Sequence, residues 1–285
     1  MKEIMELPCS KDFGGMAELI AAVPFSAPDG KELKMHILCP WNREKKYPLV
    51  VFVQGSAWTT PNMGYQLPQL AALARQGMVV ASVSHRDCRE GNPFPAYLQD
   101  VKTAIRFLRA HSEEYGIDKT RVAVWGTSSG GNAALLVGMT GDWPCYRTEE
   151  FSEESDQVQL VIDCFGPTDL GELVRGVMQE PEGSTDPRMI YLVSDGKGGI
   201  SPEKIRNMSP LHIAEAGKKY PPFLMIHGDA DPVVPYHQSE KLYEKIQKEG
   251  YDVRLVKING GVHEGNFWTP ELLEYIGQYL KEKLL

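Results

Sequence analysis

Six short runs rich in valine, isoleucine and phenylalanine, at residues 49–53, 78–83, 122–125, 160–164, 223–227 and 253–258, recur along this chain. Each is continuous rather than alternating, as expected of a strand buried on both faces. Between and after them, residues 65–75, 96–110, 132–139, 237–249 and 271–284 carry apolar side chains at helical spacing. In 96–110, for example, Tyr97, Val101, Ala104, Ile105 and Leu108 share one face. Strand and helix repeated in this way require crossovers that cover both sides of a parallel sheet. The expected fold class is α/β, a doubly wound, mostly parallel sheet with helices on both faces.

Residues 23–38 read as an antiparallel edge hairpin that turns at Pro28-Asp29-Gly30. Two stretches break the rhythm. Residues 142–157 carry Glu149, Glu150, Glu153, Glu154 and Asp156, and read as a solvated loop. Residues 170–220 hold Pro, Gly and Ser-rich pieces and read as a lid inserted over the site, since long loops in compact domains are usually functional or mobile. No repeat or linker divides the chain, so residues 1–285 are expected to form one domain.

Thirty Lys and Arg against 38 Asp and Glu leave a net charge of -8, with no positive excess to neutralise a phosphate backbone. Nucleic acid is not an expected partner. No apolar run reaches the roughly eighteen residues of a membrane span, so no membrane partner is expected. The first residues lack the apolar core of a secretory signal, which points to the cytoplasm. The 5 cysteines are scattered without a C-x-x-C pair and read as reduced thiols. H-E-x-x-H, the phosphate-binding G-x-x-x-x-G-K-[ST] and G-x-G-x-x-G are all missing from the sequence, so neither metal nor cofactor is expected.

The strand at 121–125 runs into Gly126-Thr127-Ser128-Ser129-Gly130-Gly131 and then into a helical stretch. A G-x-S-x-G turn between strand and helix forces its serine into a strained bend with the hydroxyl projecting above the sheet. Ser128 is the candidate nucleophile. A serine hydroxyl needs a neutral imidazole to take its proton, and the imidazole needs a carboxylate to fix its tautomer. Asp231 follows the strand ending at His227, in Gly228-Asp229-Ala230-Asp231-Pro232, at the strand end where open α/β sheets place their sites. It is the candidate acid; Asp229 is the alternative and reads better as an organiser of the turn. His263 lies in the glycine-rich loop after the last strand and is the candidate base. The order Ser128, Asp231, His263 is that of the α/β-hydrolases. Activity is expected to fall as the imidazole protonates on the acid side of neutrality.

Negative charge on the tetrahedral intermediate needs donors already in place, and Gln54-Gly55-Ser56-Ala57-Trp58, after an early strand, is well positioned to supply them. Here the sequence resembles the hormone-sensitive-lipase-like and feruloyl-esterase-like branch of the α/β-hydrolase superfamily, whose members carry His-Gly-Gly-Gly/Ala-Trp at this point. The resemblance continues through Asp100-Val101-Lys102, the G-x-S-x-G-G turn, Gly166-Pro167-Thr168-Asp169-Leu170, His227-Gly228-Asp229-Ala230-Asp231 and Gly261-Val262-His263. It implies the α/β-hydrolase fold and makes the backbone N–H groups of Ser56, Ala57 and Ser129 the oxyanion donors. Two positions depart from the pattern. Gln54 stands in place of His, and Ser56 in place of Gly.

The expected activity is a serine esterase, a carboxylic ester hydrolase working through an acyl-enzyme. The resemblance suggests a small-molecule ester substrate, with acetyl or feruloyl groups on carbohydrate. Trp58, Trp143, Phe267 and Trp268 flank the site loops, with Trp58 and Trp268 taken as the substrate contacts and core packing as the alternative for all four. Arylformamidases and prolyl-oligopeptidase-like peptidases share the triad logic. A ligand receptor on a hydrolase scaffold is the reading from outside enzymology. The sequence carries no signature of oligomeric state.

Overall fold

In the strand Tyr47–Val53, side chains alternate between two apolar layers, which explains why its sequence shows no polar face. Leu49, Val51 and Val53 enter one core cluster, and Val50 and Phe52 enter the other. A computed structural model describes residues 4–9, 13–42, 44–178 and 187–285. Its strands are β1 (Ala17–Ser26), β2 (Leu33–Pro40), β3 (Tyr47–Val53), β4 (Val79–Val83), β5 (Ile117–Thr127), β6 (Leu160–Cys164), β7 (Phe223–Gly228) and β8 (Val253–Ile258). They form one sheet in the order β1-β2-β4-β3-β5-β6-β7-β8. β1 pairs antiparallel with β2, and β2 antiparallel with β4; every other pairing is parallel. The mostly parallel α/β architecture and the antiparallel edge hairpin follow the sequence pattern, with β1 starting earlier than residue 23.

The helices are α1 (Leu67–Arg75), α2 (Ala96–Ala110), α3 (Ser112–Tyr115), α4 (Ser129–Met139), α5 (Leu170–Met178), α6 (Pro187–Leu192), α7 (Pro202–Asn207), α8 (Pro210–Ile213), α9 (His237–Lys248) and α10 (Pro270–Leu284). Leu70 and Leu73 of α1 and Leu272 and Ile276 of α10 pack on the face of Val50 and Phe52. Leu98 and Val101 of α2, Leu135 of α4 and Leu242 of α9 pack on the other. The chain leaves β3 through α1 to reach β4, then crosses to the far side of β3 through α2 to reach β5. The strand order therefore reverses at β3, where crevices open at the carboxyl ends of such sheets. Register brings the two ends together, since Val53 lies opposite Gly126.

Between β6 and β7 lie α5 to α8 in place of a single crossover helix. This is the segment expected as a lid, of which residues 179–186 lie outside the described residues. The expected solvated loop at 142–157 needs a correction. Glu149, Glu150 and Glu153 are exposed, but Asp156 is buried and pairs with Lys102 Nζ (2.6 Å) and Arg106 Nη1 (3.2 Å), all three side chains 0% exposed. Arg109 Nη2 donates to Gln157 O (2.6 Å). The cationic side of α2, polar in sequence, is thus covered by this loop, because three buried cations need acceptors that water cannot supply there. Among the described residues no helix is long and apolar enough to cross a membrane.

Candidate active site

The turn from β5 into α4 brings backbones closer than side chains allow. A Cβ at Gly126 would lie 1.9 Å from Gly130 O, and one at Gly130 would lie 2.0 Å from Val53 O. Glycine at both positions lets the first turn of α4 sit against the end of β3. Ser128, between them, holds φ 52° and ψ -123°, a conformation that costs a non-glycine residue about 1–3 kcal/mol. Its N–H donates to Cys164 O (2.9 Å), and its carbonyl accepts from Asn132 N (3.0 Å). Behind the turn, Asp163 is fully buried and accepts from Gly166 N–H (2.9 Å), and burial pushes its carboxyl up from the usual range.

The loops after β7 and β8 are similarly apposed. A Cβ on Gly228 would lie 2.2 Å from Gly261 O, and Ala230 N–H donates to that same oxygen (3.0 Å). Asp229 Oδ1 accepts from Gly260 N–H (2.6 Å), so it ties the two loops together and faces no imidazole there. His263 Nδ1 lies 2.7 Å from Asp231 Oδ2, and His263 Nε2 lies 2.9 Å from Ser128 Oγ. The imidazole packs against the Phe165 ring, with centroids 4.7 Å apart. Hydroxyl, imidazole and carboxylate therefore touch in series, each from a different loop at one sheet edge.

Asp231 Oδ1 accepts from Val233 N–H (2.8 Å) and Val234 N–H (2.9 Å). Burial alone would raise its carboxyl, but hydrogen bonds from His227 and His263 and from Val234 outweigh it and hold the group well below the usual carboxylate range. His227 is a contact that sequence order hid. It precedes the acid in the chain, yet its buried Nε2 lies 3.3 Å from Asp231 Oδ2 and 2.9 Å from Val234 O, while Nδ1 meets Ser239 Oγ at 2.6 Å. The spacing His-x-x-x-Asp across a strand end was the available signal.

Because Asp231 is depressed in the folded state, its ionic contribution is complete above the unfolded value of about 4 and is lost as pH falls further. Asp231→Asn is expected to lower unfolding free energy by on the order of 2 kcal/mol at neutral pH. In urea titrations the gap to wild type should be flat from about pH 5 to pH 8 and narrow below about pH 4. A gap unchanged down to pH 2 would count against this role of the charge.

At the end of β3, Ala57 and Trp58 both take positive φ, 49° and 58°. Ser56 N–H, expected as an oxyanion donor, already donates to Ser129 Oγ (2.9 Å), and the loop runs close to the nucleophile, since a Cβ on Gly55 would lie 2.6 Å from Ser128 Cβ. Trp58 is not presented to a ligand. It is 4% exposed and packs in the core near Tyr97. Phe267 is likewise buried, and Trp143 follows the far end of α4, away from Ser128, stacked on Tyr146. Trp268 is half-buried against Phe165, and its Nε1 donates to Glu264 Oε2. That carboxylate also accepts from Tyr65 Oη (2.7 Å), linking the histidine loop to the segment before α1. Among the described residues no group of three or more His, Cys, Asp or Glu side chains converges as metal ligands do.

The sheet order, the serine at a strained strand-to-helix turn and the acid and histidine on the two following loops define an α/β-hydrolase. The BD-FAE family profile matches residues 35–246, and the chain belongs to that family. Esterase LipC of Mycobacterium tuberculosis is 31% identical over 217 residues, which are 74% of this chain and 52% of LipC. The chain thus spans about half the length of the curated relatives it matches. Among solved structures, a truncated carbohydrate esterase from gut microbiota superposes with TM-score 0.78 at 25% identity, over 96% of this chain and 98% of that one. The thermophilic esterase Est2 of Thermogutta terrifontis, with butyrate bound, gives TM-score 0.75 at 26% identity, over 92% and 93% of the two chains.

Proposed function

We propose that this chain is a serine carboxylic-ester hydrolase that acts through an acyl-enzyme on short acyl esters, with acyl groups on carbohydrate as the substrate class. The observation that carries the reading is the series Ser128 Oγ, His263 Nε2, His263 Nδ1 and Asp231 Oδ2 at 2.9 and 2.7 Å; in this reading the N–H groups of Ala57 and Ser129 are the oxyanion donors. Ser128 Oγ attacks the ester carbonyl carbon as its proton passes to His263 Nε2, while Asp231 holds the ring and stabilises the imidazolium. The carbonyl oxygen, now negative, is met by the two N–H groups. His263 returns the proton to the departing alkoxide. Water then attacks the acyl carbon, gives a proton to His263, and the acid leaves as Ser128 regains its hydrogen.

The butyrate-bound and carbohydrate-esterase likenesses support a short acyl chain and a sugar alcohol. The described residues between 170 and 220 serve in this reading as the cover of the site. Its fixing points support that role, since Leu192 O accepts from Phe94 N–H (2.9 Å) and Met208 O accepts from Asn132 Nδ2 (2.9 Å), one turn into α4. A panel of acetylated oligosaccharides, feruloyl esters, p-nitrophenyl acyl esters and formyl-kynurenine, assayed side by side, tests the assignment. Acetylated oligosaccharides are expected to give the highest kcat/KM, by about tenfold or more over p-nitrophenyl esters longer than butyrate. Formyl-kynurenine turnover far above every ester would replace the esterase reading with an arylformamidase.

A further inference from the structure

The loop that carries the candidate oxyanion donors is held by hydroxyl groups. Thr59 N–H donates to Ser56 O (3.1 Å), closing a turn whose central residues, Ala57 and Trp58, both have positive φ. Turns with two such residues favour Asn, Asp or Gly, because a side chain there crowds its own backbone. Alanine and tryptophan hold this shape only where the surroundings over-determine it. Two reciprocal bonds do so here. Ser56 Oγ donates to Thr59 O (2.6 Å), and Thr59 Oγ1 donates to Ser56 O (2.7 Å).

A third hydroxyl connects this turn to the nucleophile's helix. Ser129 Oγ accepts from Ser56 N–H (2.9 Å), so the residue bearing one candidate donor is pinned by its own side chain to the turn bearing the other. Thr127 Oγ1 adds a further tie by accepting from Gly55 N–H (2.8 Å). We infer that Ser56, Thr59 and Ser129 are positioning residues whose hydroxyls lock the Ala57 N–H at a fixed separation from the Ser129 N–H, forming a two-donor oxyanion pocket. The inference rests on the esterase reading and deepens it. Preorganised donors stabilise the developing charge because they need no rearrangement at the moment of reaction. A shift of about 1 Å in such groups can cost about 10²-fold in rate.

Thr59→Val keeps the side-chain shape and deletes the hydroxyl, Ser129→Ala deletes one oxygen at the first residue of a helix, and Thr59→Ser restores the hydroxyl alone. With p-nitrophenyl acetate, Thr59→Val and Ser129→Ala are expected to lower kcat by about 10- to 100-fold with KM within about twofold of wild type. The midpoint of the pH–rate profile should stay in place, and Thr59→Ser should fall within about threefold of wild-type kcat. A purely structural clasp would lower the melting temperature and leave kcat of the folded protein alone. Turnover of both deletion variants within about twofold of wild type overturns the proposal, as does a Ser56→Gly variant faster than wild type. If Thr59→Val does not fold, Ser129→Ala decides by itself, since alanine suits that helical position. Failure of the esterase reading shows separately, as wild-type turnover no greater than that of Ser128→Ala, and the proposal falls with it.

Discussion

Replacement of Ser128 by alanine is expected to lower ester turnover by about four to six orders of magnitude while the fold and ester binding persist. Alanine keeps the Cβ that already fits the φ of 52° at this turn, and only the oxygen 2.9 Å from His263 Nε2 is lost. The change therefore isolates chemistry from architecture. Adding His263→Ala to Ser128→Ala should cost almost nothing further, because an imidazole with no hydroxyl to deprotonate has no task left in acylation. An organophosphonate should add its mass to the wild-type chain at Ser128 and leave the variant unlabelled. Equal hydrolysis by both proteins would remove Ser128 as nucleophile, and an ester bound but unhydrolysed by wild type would favour a receptor.

The largest stability loss is expected at Asp156. Its carboxylate is the shared acceptor of Lys102 and Arg106, with all three side chains out of water, and Oδ1 also accepts from Asp142 N–H (2.8 Å). Asp156→Ala leaves two cations facing a gap, a change that costs about 3–5 kcal/mol in comparable buried pairs. For a chain of this size that corresponds to a fall of roughly 10 °C in melting temperature. Burial already pushes the Lys102 ammonium down from its usual range despite this partner. The double replacement Lys102→Met with Asp156→Leu should cost less than Asp156→Ala alone, since Arg106 keeps Thr148 Oγ1 (2.7 Å) and Thr103 Oγ1 (3.0 Å). A double variant less stable than the single, measured by urea unfolding, would show that the ion pair contributes more than the avoidance of unpaired charge.

Strands were legible where burial is two-sided. β6 begins and ends where its apolar run does, because every residue of that run is buried in one layer or the other; β8 keeps the bounds of its run, but as an edge strand with Arg254 and Lys257 exposed it is not buried on both faces as expected. α4 was legible only from Asn132 onward, since Gly130 and Gly131 are poor helix formers whose presence answers to neighbouring backbone rather than to helix propensity. Ser128, Asp231 and His263 could be picked out by the chemistry each loop had to provide. Which acceptor the Ser56 N–H would choose could not, because it depends on the Ser129 hydroxyl, 73 residues away in sequence. The same limit applies to residues 142–157. A run of acidic letters does not reveal that one of them closes a charge cluster with side chains 50 and 54 positions earlier.

Acid and base loops meet through bare backbone, Gly228 against Gly261, with Asp229 fastened to Gly260. Neither can gain a residue without pushing the other aside, so their lengths are coupled. The stretch joining β6 to β7 is held at its start, where Gly166 lies against Gly131, and again at Leu192 and Met208, whose carbonyls accept from Phe94 and Asn132. Between those fixing points a change of length need not disturb the spacing of the proton relay.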